Sequence, residues 1–328
     1  MTVIVGFKYL DFKDFIEITL NFEEVSLSED ALDEINKNFE FLKEFSKNRT
    51  IYGINTGFGP MARYKIADED VEQLQLNLIR SHAAGTGKIL PENYARGVVL
   101  ARLNTLMLAR SGIHPDVVKL LAGFLNNNIS PVIFEHGGVG ASGDLVQLAH
   151  LALNLIGEGD VYHNGNIVPA GETLKKCGLE PLRMHLREGL ALINGTSVMT
   201  AIGILNLFNS KRLFDWTVTA GAMMMEVVEC YDDHYSVETN SVKLHSAQNA
   251  VAVKLSKLLH GSSLVKSRKI NMYETELSPG YIDEKVQEFY SIRCVPQVLG
   301  PVLETMNNAE KILIDELNSV NDNPVIDH

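Results

Sequence analysis

Hydrophobic positions along this chain recur mostly with helical spacing. Val71, Leu74 and Leu78 stand at i, i+3 and i+7, and Ala95, Val99, Leu103 and Leu106 repeat the pattern after Pro91-Glu92, where a proline suits a first helical turn. Gly112, just before Ile113-His114-Pro115, is read as the stop of that second helix. A third helix is expected to begin near Asp144, to carry Leu145, Leu148, Ala152 and Leu155 on one face, and to end at Gly157. The clearest strand signal is Val161 to Pro169, whose Asn164-Gly165 pair favours a tight primed hairpin turn.

From Ser197 to about Cys230 the pattern changes. There is no proline, and Met199, Ile202, Leu205, Phe208, Leu213, Trp216, Val218, Met223 and Val227 leave no face polar. A helix apolar all round must be covered by other helices, from its own subunit or a neighbour's, and Met223-Met224-Met225 is read as core. A second such helix is expected over Val295 to Asn318. These patterns predict a mainly α protein: an irregular N-terminal region, residues 1–196, with a small loop-and-hairpin portion, followed by a long-helix bundle, residues 197–328.

Composition narrows the function classes. The chain has 328 residues, enough to bury a sizeable core, and its 45% hydrophobic and 21% charged residues are globular values. A net charge of −12 disfavours nucleic acid and anionic membrane surfaces, both of which require a basic face. No run reaches the ~18 apolar residues of a membrane span, and the N-terminus lacks the apolar core of a secretion signal. Cys177, Cys230 and Cys294 form neither a disulfide framework nor a CxxC site, so they are read as reduced packing residues of a cytoplasmic protein. The histidines show no metal-ligand spacing, and Asp232-Asp233-His234 reads as a solvated helix end.

Gly137 to Asp144 is the most unusual stretch. Gly138, Gly140 and Gly143 satisfy G-x-G-x-x-G between an apolar run and a helix, with Glu158 near the position of a ribose-binding acid. A doubly wound sheet would need further strand–helix units, and long apolar helices stand in their place. The other reading is chemical. In Ala141-Ser142-Gly143 the amide nitrogen of Gly143 can attack the Ala141 carbonyl in a tight bend, with loss of water. Elimination of the Ser142 hydroxyl then gives a methylidene-imidazolone (MIO), an electrophile that no standard side chain offers. Glycine leaves the attacking nitrogen unhindered, alanine keeps the carbonyl open, serine supplies the leaving hydroxyl, and flanking glycines permit the bend. The helix expected next places positive dipole potential nearby.

Six segments decide between these readings. Tyr52 to Gly59, Ser81 to Gly85, Gly138 to Leu145, Leu192 to Thr196, Gln287 to Cys294 and Glu316 to Pro324 follow the order and approximate spacing of the aromatic amino acid ammonia-lyases. The chain resembles that histidine/phenylalanine/tyrosine ammonia-lyase family over nearly its whole length. The resemblance implies the long-helix bundle fold shared with fumarase and aspartase, a homotetramer, and active sites assembled from three subunits. It implies an MIO formed from Ala141, Ser142 and Gly143, with no external cofactor. Tyr52 matches the tyrosine that takes the β-proton, and Tyr290 a second active-site tyrosine. Arg293 matches the binder of the substrate carboxylate, Asn194 and Gln287 the orienting amides, and His82 the position facing the substrate side chain. The chemistry is consistent: Arg293 offers a bidentate fork, and a tyrosine with an ordinary pKa near ~10 needs its environment to lower that value before it acts as a base.

Three departures mark this sequence. Val146-Gln147 follows Gly143-Asp144-Leu145 where most relatives carry Ala-Pro, and Glu135-His136-Gly137-Gly138 is atypical; both point to a bacterial branch near the tyrosine and histidine enzymes. Ser81-His82 demotes phenylalanine, because His82 would hydrogen-bond an imidazole or a phenol; the wider resemblance favours L-tyrosine over L-histidine. Family chains also continue past Asn323-Pro324, with later bundle helices, an active-site phenylalanine and an acidic residue. Elimination of ammonia to the trans-α,β-unsaturated acid is therefore the leading expectation. A 2,3-aminomutase is the second, and an inactive truncated fragment serving only binding or assembly the third.

Overall fold

The computed structural model describes residues 2–328 except Ser142, Thr275 and Leu277. It is mainly α-helical, and its chain divides into two compact units: Met1–Leu205 with Ile312–His328, and Asn206–Lys311. Hydropathy alone suggested a division near residue 196; the units instead return the last segment of the chain to the first. The physical reason is local packing. Ile326 joins a buried cluster with Leu42 and Ile54, and Asn38 holds the Ile326 carbonyl at 3.1 Å.

The first unit opens with two short parallel strands, Val3–Val5 and Val25–Leu27, flanking a helix, Phe12–Leu20, and leading to another, Glu29–Ser46. Asp11 and Ser28 cap these helices by accepting from the backbone N–H three residues on. Helices Val71–His82, Glu92–Leu106, Pro115–Asn126 and Leu145–Leu155 follow, and Glu92–Leu106 is buried on every side from Ala95 onward. Arg96 and Arg102 lie in that buried run, where their guanidinium groups serve as fasteners. Arg96 donates to the carbonyls of Ile18 (2.8 Å) and Leu125 (2.9 Å), tying three helices together.

The hairpin forms as its sequence predicts. Asp160–His163 pairs antiparallel with Asn166–Pro169, and Asn164 (φ 51°) and Gly165 (φ 75°) make the turn. Ile129–Pro131 adds a third strand. Helix Leu145–Leu155 ends just before Gly157 (φ 83°), as expected. The stop at Gly112 is a correction. The helix ends at Leu106, and Ala109 (φ 56°) takes the left-handed turn after the last carbonyls are satisfied by shorter bonds from Leu108 and Ala109.

The two long apolar helices are Ser197–Val227 and Val295–Leu317. Within the chain their apolar surface is only partly covered: Trp216 is 71% exposed, and Leu213, Met223, Met224 and Val227 are exposed too. Of the three consecutive methionines only Met225 is core, which corrects the expectation for the other two. In the second unit Asp232-Asp233-His234 is a half-buried 3-10 turn, not a solvated helix end. Arg268 pairs with Asp233 at 2.8 Å, and its backbone N–H donates to Asp232 at 3.0 Å. Among the described residues no helix is long and apolar enough to cross a membrane, and no group of three or more His, Cys, Asp or Glu side chains is placed to hold a metal.

Candidate active site

The glycine-rich loop is exposed from Glu135 to Ala141, and Ser142 lies outside the described residues. Gly140 (φ 66°) and Gly143 (φ 90°) adopt the left-handed backbone that only glycine takes freely. Gly143 forms a parallel bridge with Gly195, and the Asp144 N–H donates to the Gly195 carbonyl at 2.8 Å. One oxygen of the Asp144 carboxylate then accepts the N–H groups of Val198 (2.8 Å) and Met199 (2.9 Å), the free donors at the start of the long helix. Burial raises the Asp144 pKa, and those two donors and Arg102 oppose the shift. The segment that carries Ala141 and Gly143 is thereby fastened to the segment that carries Asn194.

Arg102 completes this junction. Fully buried, it donates to the carbonyls of Ala191 and Asn194 (3.0 Å) and to the side chain of Asn321 (3.2 Å). A side chain on Gly195 would stand 2.3 Å from the guanidinium and 2.6 Å from the Asn321 oxygen, so Gly195 is required for that approach. Asp322 in turn lies 3.7 Å from Arg187, both side chains fully buried, and Arg187 also donates to the Ser111 and Pro324 carbonyls. Desolvation lowers the Arg187 pKa to about 10, still well above neutrality. Three of the six motifs thus meet around one buried arginine that sequence reading overlooked. Its only signal was a charge inside an otherwise apolar helical run.

The tyrosine loop reaches the short helix Glu188–Ile193, which leads into Asn194. Gln75, fully buried, donates to the Gly53 carbonyl (3.3 Å) and accepts from the Leu190 N–H (3.0 Å). Gly53 (φ 75°) lies so close to Leu190 that a Cβ would stand 2.3 Å from its methyl group. Asn55 ties the loop on itself, accepting from Ile51 and donating to Arg49. Tyr52 is left 41% exposed, its ring edge-on to Phe58 at 6.4 Å.

His82 ends helix Val71–His82, half-buried, with Nδ1 2.9 Å from the Leu78 carbonyl. A carbonyl only accepts, so Nδ1 carries the hydrogen of this contact. Three residues on, the Gly85 N–H donates to His150 Nε2 at 3.0 Å. His150 sits on helix Leu145–Leu155, and burial holds its pKa below the usual histidine value. It links the Ser81–Gly85 segment to the helix that follows the glycine loop, and it too went unnoticed in the sequence.

The remaining candidates belong to the second unit. Tyr290 and Arg293 lie on one helical turn, Tyr290–Arg293, with the guanidinium stacked over the phenol ring at 4.1 Å. Gln287 and Tyr290 are exposed. Between them Glu288 is buried, accepting from Lys285 (2.7 Å) and the Tyr231 N–H (3.2 Å), which anchors the segment. The structure therefore groups Tyr52, His82, Ala141, Gly143 and Asn194 in one unit, and Gln287, Tyr290 and Arg293 in the other.

Comparison with known proteins agrees with this architecture. The sequence profile described as aromatic amino acid lyase matches residues 10–328. The chain belongs to the aromatic amino acid lyase family. It is 43% identical to a histidine ammonia-lyase of Stigmatella aurantiaca over 84% of its length and 52% of that protein's. It is also 43% identical to a tyrosine 2,3-aminomutase of Chondromyces crocatus, over 84% of its length and 53% of the relative's. Among solved structures, the phenylalanine aminomutase of Pantoea agglomerans superposes with a TM-score of 0.92 at 32% identity, covering all of this chain and 64% of that one. The chain thus spans a little over half the length of these two curated family members.

Proposed function

We propose that this chain carries the catalytic machinery for removing ammonia from an aromatic L-amino acid to give the trans-α,β-unsaturated acid, a carbon–nitrogen lyase reaction. The observation that carries the reading is the fastening of Gly143 and Asp144 to Gly195, which anchors the end of the segment whose sequence is suited to close on itself. The positive φ at Gly140 and Gly143 and the lack of space beside Gly143 fit an MIO at Ala141, Ser142 and Gly143. Once formed, the ring supplies an electrophilic carbon that makes the amine a better leaving group.

The chain's own residues supply the rest. Arg293, stacked on Tyr290, binds the substrate carboxylate with its fork of N–H groups. Tyr52 removes the β-proton from its loop position. Asn194 and Gln287 orient the substrate through their amides. His82 presents Nε2 as an acceptor to a phenol O–H or an imidazole N–H, and L-tyrosine is taken ahead of L-histidine. The exposed apolar faces of the two long helices support a homotetramer, and the three unpaired cysteines a cytoplasmic setting.

Similarity to two aminomutases is consistent with one alternative, return of ammonia to the β-carbon. Intact mass and product analysis test both. The chain is expected to weigh two waters less than its sequence, and Ser142→Ala to abolish that loss and all turnover while keeping the fold. A Ser142→Ala protein with full rate would remove the electrophile from the mechanism. A β-amino acid among the products from tyrosine or histidine would replace elimination by the mutase reaction.

A further inference from the structure

The two sequence departures flanking the reactive tripeptide touch each other. A Cβ on Gly137 (φ 130°) would stand 2.7 Å from the Val146 methyl and 3.4 Å from the Gly85 Cα. A Cβ on Gly138 would stand 2.7 Å from the Gln147 Oε1 and 3.2 Å from its Nε2. The first turn of helix Leu145–Leu155 therefore seats its side chains on the segment that leads into the loop. At the far end, Gly143 and Asp144 are fastened to Gly195. Between these two anchors Val139 is 90% exposed, and nothing lies within 4 Å of a Cβ on Gly140.

We propose that Gln147 is a positioning residue: seated on Gly138, it fixes the approach to the reactive tripeptide while Gly195 fixes the far end, which favours ring closure. This rests on the reading that the loop closes into the ring, because a loop held at one end only samples many shapes, few of which bring the Gly143 nitrogen to the Ala141 carbonyl. The alternative is that Gln147 merely fills space beside a loop held elsewhere.

Gly138 offers a clean test. Its backbone does not lie in the left-handed region, so alanine is conformationally acceptable, and the three atoms nearest the place of its Cβ all belong to the Gln147 side chain. Because the end of a glutamine is mobile, Gly138→Ala should eject Gln147 without unfolding the protein. Gly138→Ala and Gln147→Ala should then have the same effect. Each should speed hydrogen exchange of the 139–143 amides about tenfold and slow the loss of two waters by a similar factor, and the double variant should be no worse than either. Gln147→Met, of equal length, should restore the exchange rate to near wild type. Melting temperature is measured in parallel to show that each variant is folded.

Additive effects in the double variant, or unchanged exchange in both single variants, would overturn the proposal. If the wild-type chain itself loses no water, ring formation is rejected, and the exchange arm still decides whether Gln147 holds the loop.

Discussion

Gly143 and Gly195 lie so close that a Cβ on Gly143 would stand 2.2 Å from the Gly195 carbonyl oxygen and 2.8 Å from its carbonyl carbon. Both obstacles are backbone, which cannot swing aside as a side chain would. Together with φ 90° this makes position 143 intolerant of any side chain. The same contact brings the glycine loop to the segment carrying Asn194.

Gly143→Ala should therefore push the two segments apart. We expect a stability loss of about 2–4 kcal/mol in urea titrations and no dehydration by intact mass. A variant of wild-type stability with both waters lost would show that the bridge is dispensable.

Asp144 caps a helix to which it does not belong. Asp144→Ala leaves the N–H groups of Val198 and Met199 without their acceptor and should cost about 1–3 kcal/mol. Asp144→Asn keeps an acceptor oxygen and avoids burying a charge, so it should cost less. Equal losses for the two would assign the effect to charge alone.

Tyr52 packs loosely, edge-on to Phe58, so loss of its hydroxyl should leave melting unchanged. If it is the base, Tyr52→Phe lowers kcat by about a hundredfold to ten-thousandfold with a much smaller change in KM. A kcat within a factor of two of wild type would exclude it from proton transfer.

Glu188 gives the stability of the fold a pH dependence. It is fully buried and accepts the N–H groups of His114 (2.8 Å) and His185 (2.7 Å). Burial outweighs those donors and pushes its pKa up to about 8. Between its unfolded value near 4.5 and about 8, the folded state holds a proton that the unfolded state has lost. This contribution is fully present below the lower value and falls by up to about 1.4 kcal/mol per pH unit as pH rises through the interval. Melting temperature should therefore decline from pH 5 to pH 8. Glu188→Gln should flatten that decline, although its amide can accept only one of the two N–H groups. A variant with the wild-type slope would place the titration on another group.

Helical spacing was enough to locate the helices Val71–His82 and Leu145–Leu155 and both long apolar helices, because each has its apolar stripe or all-round apolar surface written in consecutive residues. Asn164-Gly165 fixed the hairpin turn for an equally local reason, its left-handed backbone. The stop at Gly112 misled, because Ala109 took the left-handed position first. The motifs naming the candidate site were also legible as strings of residues.

How those strings are held was not. Arg102 reads as one charge in a helix, yet it joins Ala191, Asn194 and Asn321, partners up to 219 residues away. Gln75 likewise joins Gly53 to Leu190, His150 accepts from Gly85, and Glu188 accepts from His114, all backbone partners many residues away. By itself the sequence determined the helices and the hairpin turn named above, since those follow from side-chain type and local backbone freedom. Only the tertiary structure decided which segments touch. A buried polar group must find its partner wherever the folded chain brings one, and no local pattern records that choice.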